Sequence, residues 1–239
     1  DLRSKGMSRA SVRHCEEGSQ SPTWQSTPME RDRKLFINYD SSSETKPILF
    51  FYTWDTPAIT IGKIQRNREQ IIREAEALEL PCYLRPTGGR AVLHGGDICY
   101  TFIAAQSDPN FGGTLQESFR KVNEIVIRLV NTCLSVIVCS ERSVAPRNDE
   151  TRDYNCFSTC VTNEGLYRGH KIIGAAQAMG SRSFIQQGSI QLNKVDLDLE
   201  GLSSHKTLSE LTKQGYDLKA VCDHLNLLAQ NHELLLGKL

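Results

Sequence analysis

The chain has 239 residues, enough to bury a sizeable core in one large α/β domain or two small ones. Hydrophobic residues make up 39% and charged residues 23%, as in an ordinary soluble globular protein. The 28 Lys and Arg balance the 28 Asp and Glu, so no positive excess is available to neutralise nucleic-acid phosphates. The longest apolar run, Ile125 to Cys139, is interrupted by polar residues and is too short to span a bilayer. We therefore expect neither a nucleic-acid-binding protein nor a membrane protein.

Eight cysteines are scattered along the chain, and the closest pair, Cys156 and Cys160, has the spacing CxxxC. This pattern matches neither a zinc-ligand set nor a disulfide framework, so we predict reduced thiols, no metal site and a cytoplasmic protein. Residues 1–28 are rich in Ser, Gln and charge and lack the apolar segment of a secretory signal. They predict a disordered or loosely attached arm in front of a single domain over residues 29–239.

The hydrophobic pattern in the first half of the chain predicts helices and strands in alternation. Thr114 and Glu117 form a capping box in front of a long helix. Gly95-Gly96 predicts a hairpin between the last two strands of this half. The predicted elements before that helix are a helix at Met29–Tyr39, strands at Ile48–Thr53 and Ala58–Ile61, a helix at Gln65–Leu80, and strands at Cys82–Arg85, Arg90–His94 and Ile98–Ala104.

The second half continues with shorter predicted elements. A strand at Val136–Cys139 precedes a charged surface loop at residues 140–153. Two short strands, Lys171–Ile173 and Ser189–Leu192, are joined through residues 174–188, and helices follow from about residue 207. The order predicts an α/β (α+β) fold with a mixed, largely antiparallel sheet flanked by helices. The sequence has neither GxGxxG nor GxxxxGK[ST], which argues against dinucleotide-binding and P-loop folds.

The string RPTGGRAVLH, residues 85–94, is the most informative motif. Its two glycines would let backbone N–H groups approach a ligand closely, and Arg85 and Arg90 could hydrogen-bond phosphate or carboxylate oxygens. The alternative is a plain hairpin turn with solvated arginines, and the spacing alone does not separate the two.

Lys171 begins a second motif, in which an apolar strand leads into Gly174-Ala175-Ala176. One hypothesis is a lysine partly removed from water and facing a pocket, where it could hold an anion or carry a proton. The alternative is a solvated lysine at a sheet edge. Cys156 follows a polar segment, which favours exposure, and a nearby lysine would favour its thiolate. By default, however, a cysteine is a small buried residue. His205 lies in a polar segment and is expected to face water.

Taken in order, these motifs resemble the lipoate–protein ligase and octanoyltransferase superfamily, whose catalytic fold is shared with biotin–protein ligases. The resemblance covers about Met29 to Leu192. It rests on Met29-x-x-Asp32, Trp54 with Ile59-Thr60-Ile61-Gly62, RPTGGRAVLH, Asp97–Phe102, Asn155-Cys156-Phe157, HKIIGAAQ and Gln186-Gln187-Gly188-Ser189-Ile190. It implies a biotin/lipoate ligase-like catalytic domain over residues 29–239.

The resemblance implies attachment of an octanoyl or lipoyl group to one lysine of a lipoyl carrier domain, of 2-oxoacid dehydrogenases or of the glycine cleavage system. In a transferase, the octanoyl group of a thioester on acyl carrier protein would pass to Cys156 with help from Lys171, and no cofactor would be needed. In a ligase, ATP with Mg²⁺ would activate free lipoate, and Lys171 would contact the carboxylate or α-phosphate. The residues implied for the acyl or nucleotide pocket are Arg85, Thr87, Gly88, Gly89, Arg90, His94, Gly174, Ala176 and Gln177.

Three features favour the transferase: Gly-Gly-Arg in place of the Gly-Gly-Gly common in ligases, the position of Cys156, and the 47 residues (193 to 239) that follow the last motif, too few for an accessory domain. Two departures from the family pattern, Ala175 and Gln187, motivate a third hypothesis, a catalytically silent acyl- or carrier-binding protein. Retention of Arg85, Cys156 and Lys171 argues against it.

Overall fold

Nine strands in two sheets and five helices make up the part of the chain described by the computed structural model, which covers residues 27–140, 156–157, 163–197, 199, 202 and 205–231. The elements in chain order are α1 (Pro28–Ser41), β1 (Ile48–Tyr52), β2 (Ala58–Ile61), α2 (Arg68–Ala77), β3 (Cys82–Leu84), β4 (Val92–His94), β5 (Asp97–Ala105), α3 (Leu115–Leu134), β6 (Cys139–Ser140), β7 (Gly165–Tyr167), β8 (His170–Met179), β9 (Ser183–Gln191), α4 (Leu208–Thr212) and α5 (Leu218–Ala229).

The larger sheet has six strands in the order β1-β5-β9-β8-β7-β6, and every neighbouring pair is antiparallel. The smaller sheet has the order β3-β2-β4, with β2 parallel to β3 and antiparallel to β4. The predicted fold class, a mixed and largely antiparallel arrangement flanked by helices, is confirmed. The predicted hairpin at Gly95-Gly96 is wrong, because β4 and β5 belong to different sheets and these glycines carry the chain from one to the other.

Capping residues encoded locally in the chain begin several of the helices. The capping box predicted at Thr114 and Glu117 is present, and Thr27 with Glu30 forms a second one at the start of α1. The long helix α3 buries one face, which includes Val122, against the core that it shares with the six-stranded sheet and α5. Among the described residues, no helix has both the length and the apolar character that a membrane crossing requires.

Strands β8 and β9 are much longer than the sequence predicts. Residues 174–188, expected to be a connection, instead continue both strands, and the turn between them lies near Gly180. The error has a physical cause: Gly174 and Gly188 are poor strand formers in isolation, but both lie where a side chain approaches closely. A Cβ added at Gly188 would lie 2.2 Å from the ring of Tyr100. Tertiary packing, which the hydrophobic pattern does not show, therefore determines that these residues continue the strands.

The strand predicted at Val136–Cys139 is also misplaced, since β6 is formed by Cys139 and Ser140. The side chain of Asn131 accepts a hydrogen bond from the backbone N–H of Val138 and donates one to its carbonyl, so this residue does not pair with a strand. The surface loop predicted at 140–153 lies outside the described residues except for Ser140. Residues 1–26 of the predicted arm also lie outside them, and the single domain over 29–239 stays a prediction.

Candidate functional site

A recess lies between the two sheets, with about 360 Å³ of empty space including its open mouth. Residues of α1, of both sheets and of the pair 156–157 meet there because β4 and β5 diverge into different sheets at Gly95-Gly96. The lining residues are Met29, Tyr52, Thr60, Arg85, Val92, His94, Cys99, Cys156, Gly174, Ala175, Ala176, Gln187, Gly188 and Ser189.

Lys171 is buried on β8, an inner strand of the larger sheet, so the alternative of a solvated lysine at a sheet edge is wrong. Its Nζ lies 2.7 Å from Glu164 Oε2, and the two side chains are 3% and 1% exposed. Burying a charge is costly unless an opposite charge lies at hydrogen-bond distance. Glu164 therefore stabilises the ammonium form of Lys171. Glu164 carries no motif of its own, so nothing in the sequence singles it out.

Cys156 lies beside this ion pair. Lys171 Nζ donates one hydrogen bond to the carbonyl oxygen of Cys156 at 2.7 Å and another to its Sγ at 3.8 Å. A cation next to a thiol favours the thiolate, which is the nucleophilic form. Cys156 also lines the recess, so a molecule bound there would lie beside this residue. Asn155, the residue before it in the motif, lies outside the described residues.

Phe157 is buried and connects the cysteine to a residue that the sequence analysis set aside. The ring of His205 stacks on Phe157, with 5.0 Å between the ring centres and 28° between the planes. Burial, the largest contribution, lowers the pKa of His205 from its ordinary value, although the backbone of Leu202 acts in the opposite direction. The expectation that His205 simply faces water is therefore wrong.

Arg85 is buried, and its guanidinium supports the loop that contains it. Nη1 donates to the carbonyl and hydroxyl oxygens of Thr60, and Nη2 donates to the carbonyl oxygens of Gly88 and Arg90, all at 2.7–3.0 Å. Burial lowers the pKa of Arg85 from its ordinary value, and nearby groups that include Cys156 raise it. In this conformation the two terminal nitrogens bond to the protein itself, which fixes the Thr87-Gly88-Gly89 turn against β2.

His94 is held in a buried chain of hydrogen bonds. Its Nε2 lies 2.7 Å from the hydroxyl of Thr60, its Nδ1 lies 2.7 Å from Asp97 Oδ2, and Trp54 stacks on the ring. Burial opposes ionisation of Asp97, but His94 and hydrogen bonds from Ser189 and Gly95 hold the pKa of Asp97 below its ordinary value. Asp97 therefore remains a carboxylate that orients the imidazole.

A possible metal site is the cluster of His94, Asp97 and Cys99, because their donor atoms all lie within 4.8 Å of one another. These atoms instead hydrogen-bond to each other, and burial raises the pKa of Cys99 well above its ordinary value. A thiol that keeps its proton is a poor metal ligand. The chemistry of this cluster fits a hydrogen-bonded network better than a metal centre.

The structure brings only part of the predicted set to the recess. Cys156, Arg85, His94, Gly174 and Ala176 line it. Lys171 reaches it through its hydrogen bonds to Cys156. Thr87, Gly88, Gly89 and Arg90 form the loop behind Arg85 without lining it, and Gln177 donates to the hydroxyl of Ser118 on α3.

Asp32 connects several residues of the site through hydrogen bonds. In the sequence it was marked only as part of a motif. Its carboxylate is fully buried, and Oδ2 accepts hydrogen bonds from the side chains of Tyr52, Thr101 and Gln187. The other end of the Gln187 amide accepts a hydrogen bond from the hydroxyl of Thr87 at 2.9 Å. Gln187, expected as a departure from the family pattern, therefore connects α1 to the glycine loop.

Known proteins resemble the chain in both sequence and fold. An octanoyltransferase LipM from Carboxydothermus hydrogenoformans is 33% identical over 64% of the chain and 55% of its own length. An octanoyltransferase LipM from an Exiguobacterium species is 34% identical over 76% of the chain and 66% of its own length. The chain thus spans less than two thirds of the length of these relatives. A solved Thermoplasma acidophilum protein with bound lipoic acid shares the fold, with a TM-score of 0.60 and 22% identity over 87% of the chain and 79% of that protein.

One protein family, which is defined by its catalytic domain, also matches the chain. The pattern of the lipoyl protein ligase A/B catalytic domain matches residues 26–226, which include both sheets and every residue that lines the recess. On this match, which extends over most of its residues, the chain belongs to the lipoyl protein ligase A/B catalytic domain family.

Proposed function

We propose that the chain is an octanoyltransferase that moves an octanoyl group from a thioester donor, through Cys156, to the lysine of a lipoyl carrier domain. The observation that carries the proposal is the position of Cys156 Sγ at the wall of the recess, 3.8 Å from the ammonium of Lys171. The names of the relatives, octanoyltransferase LipM, support the same reaction.

Two displacements complete the reaction, and each conserves atoms and charge. The Cys156 thiolate attacks the carbonyl carbon of the donor thioester, the carrier thiolate leaves, and it takes up the proton that Cys156 had released. The amine of the target lysine then attacks the Cys156 thioester, an amide forms, and the amine proton passes to the departing Cys156 sulfur. The ammonium of Lys171 lies 3.8 Å from the sulfur, where it stabilises negative charge that develops on Sγ in both displacements.

The walls of the recess suit an aliphatic chain. Met29, Val92 and Ala176 contribute apolar surface, while the polar groups of Arg85 and His94 are engaged with protein partners. Burial of apolar surface is the main source of affinity for such a chain. The free thiols of the six described cysteines fit a reducing compartment, and we place the reaction in the cytoplasm.

The alternative is an ATP-dependent ligase, in which Arg85 and Lys171 would face a nucleotide phosphate. The terminal nitrogens of Arg85 already donate to Thr60, Gly88 and Arg90. The charge of Lys171 is balanced by Glu164, so a phosphate placed there would meet a buried carboxylate. These contacts support a reaction without ATP and Mg²⁺.

Intact-protein mass spectrometry of a lipoyl domain tests the proposal. One reaction contains octanoyl–acyl carrier protein without ATP, and the other contains free lipoate with Mg-ATP; lipoyl domains of a 2-oxoacid dehydrogenase and of the glycine cleavage protein are compared. We expect an octanoyl mass gain in the first reaction and an adduct on Cys156 when the lipoyl domain is left out. Cys156→Ala should abolish both, while Cys139→Ala, which removes an exposed thiol, should change neither. A gain in the second reaction alone would establish the ligase, and no gain in either would favour the silent binding protein.

A further inference from the structure

Contacts with the residue before β4 and with β8 attach the pair Cys156-Phe157 to the two sheets. The backbone N–H of Cys156 donates to the carbonyl oxygen of Ala91 at 3.0 Å, and its carbonyl accepts from Lys171. Phe157 supplies a further attachment: its ring lies 5.4 Å from Lys171 Nζ and packs beside Gly174, on the strand that carries the lysine. The position of Phe157 therefore helps to set the distance between the thiol and the ammonium.

Hydrogen bonds hold the imidazole of His205 in place beside Phe157. Its Nε2 lies 3.0 Å from Gln191 Oε1, and the amide nitrogen of Gln191 donates to the hydroxyl of Ser189 at 2.8 Å. That hydroxyl donates to Asp97 Oδ2, which leaves the amide oxygen of Gln191 facing His205. Nε2 therefore carries a proton, and the imidazole is tied to β9 through Gln191.

We propose that His205 is a positioning residue, whose stacked ring holds Phe157 and thereby keeps Cys156 Sγ beside Lys171 Nζ. The proposal rests on the proposed role of Cys156 as the nucleophile. Stacking of two flat rings restricts both the tilt and the depth of Phe157. A small displacement of the neighbouring cysteine changes its distance from the cation, and reaction rates depend steeply on such distances.

Three substitutions separate the ring from its hydrogen bonds. His205→Phe keeps a flat ring over Phe157 and loses the hydrogen bonds to Gln191 and to the backbone of Leu202. His205→Leu loses the ring and these hydrogen bonds, and His205→Gln keeps a donor without a ring. The matched control is His224→Leu on α5, which removes an exposed imidazole beside Cys133. The thermal midpoint of each variant reports its effect on folding.

The decisive measurement is the rate of alkylation of Cys156 by iodoacetamide against pH, followed by peptide mass spectrometry, because it does not depend on acyl transfer. Among the described residues, charged groups close to the thiol include Lys171, its partner Glu164, and Arg85. We expect His205→Leu and His205→Gln to move the midpoint of this profile to higher pH and to lower kcat about tenfold with little change in KM. His205→Phe should stay within about twofold of the unmodified protein.

The proposal is overturned if His205→Leu leaves the alkylation profile unchanged, or if His205→Phe and His205→Leu shift it equally. If His205→Leu does not fold, His205→Gln carries the same expectation and the same refutation. Failure of the proposed function would look different: Cys156→Ala would retain transfer to the lipoyl domain, while the effect of His205→Leu on alkylation of Cys156 would persist.

Discussion

Lys171 and Glu164 form a buried ion pair, with 2.7 Å between Nζ and Oε2, at the wall that also carries Cys156. The pair joins β8 to the residue that precedes β7. In the interior, neither charge is compensated by water, so each group depends on the other. The arrangement places the amino group of Lys171 next to a thiol, and a second, equally buried residue holds it there.

Glu164→Gln should therefore lower both stability and activity. It leaves the Lys171 ammonium without its counter-charge, and we expect a loss of about 3 kcal/mol in the free energy of unfolding, measured by urea titration. The double variant Glu164→Leu/Lys171→Met removes both charges and should recover most of that stability. It should nevertheless stay inactive in the mass-spectrometric assay, because the cation beside Cys156 is gone. Full activity of the double variant would show that Lys171 serves packing alone.

Gly188→Ala tests the close approach of β9 to β5. A Cβ at Gly188 would lie 2.2 Å from the Tyr100 ring, which is buried and hydrogen-bonded to Asn123 and Gln186. The ring cannot move without breaking these bonds, so we expect a loss of about 2 kcal/mol in urea titration. Gly215→Ala is the control, since nothing lies within 4 Å of its Cβ position, and it should be neutral or slightly stabilising. Equal effects of the two substitutions would contradict the packing argument.

Short-range patterns in the sequence predict local structure, but they do not show which distant residues the fold brings together. The capping box at Thr114 and Glu117 spans three residues, so its signal is complete in the sequence. Cys156 and Lys171 were both singled out from their neighbours, and the structure places them in contact. By contrast, the hydrogen bond from Gln187 to Asp32 joins residues 155 positions apart. No local pattern marks such a pair.

The same reason explains why His205 was misjudged. Its polar neighbours are typical of a solvated segment, and the ring that it stacks on lies 48 positions earlier in the chain. Glu164 resembles any other surface glutamate until the β7–β8 pairing turns it towards Lys171. For β8 and β9, small residues that reduce strand propensity are the ones that allow the close packing of the sheet. In each case tertiary contacts outweigh the local preference.

Asp40 gives a prediction about stability against pH. Burial opposes its ionisation, but hydrogen bonds from the backbone of Arg182, the hydroxyl of Ser183 and the backbone of Ser181 lower the pKa of Asp40 from 3.8 to about 2. The ionised group therefore stabilises the fold fully above about pH 4, and this contribution is lost as the pH falls through about 2. Because the carboxylate is partly solvated, we expect Asp40→Ala to cost about 1 kcal/mol at pH 7.

Urea titrations of Asp40→Ala and the unmodified protein at pH 7, 4 and 3 check the direction of this pH dependence. The difference between the two should be largest at pH 7 and should narrow as the pH falls below about 4. Asp55→Ala, at an exposed position in the turn between β1 and β2, should cost little at any pH. A difference that grew on acidification would mean that Asp40 destabilises the turn between β8 and β9 when ionised.

Substitutions of Arg85 test whether this residue binds a charged ligand or holds the loop in place. Its two terminal nitrogens donate to four oxygens of the chain, three of them carbonyl oxygens. A lysine has the same charge but cannot reach these oxygens with the geometry of a planar fork. We therefore expect Arg85→Lys and Arg85→Met to lose activity alike, by at least about tenfold, and to lower the thermal midpoint together. If Arg85→Lys instead kept activity and stability while Arg85→Met lost activity alone, the charge would be what matters, and the residue would act on the substrate rather than on Gly88 and Arg90.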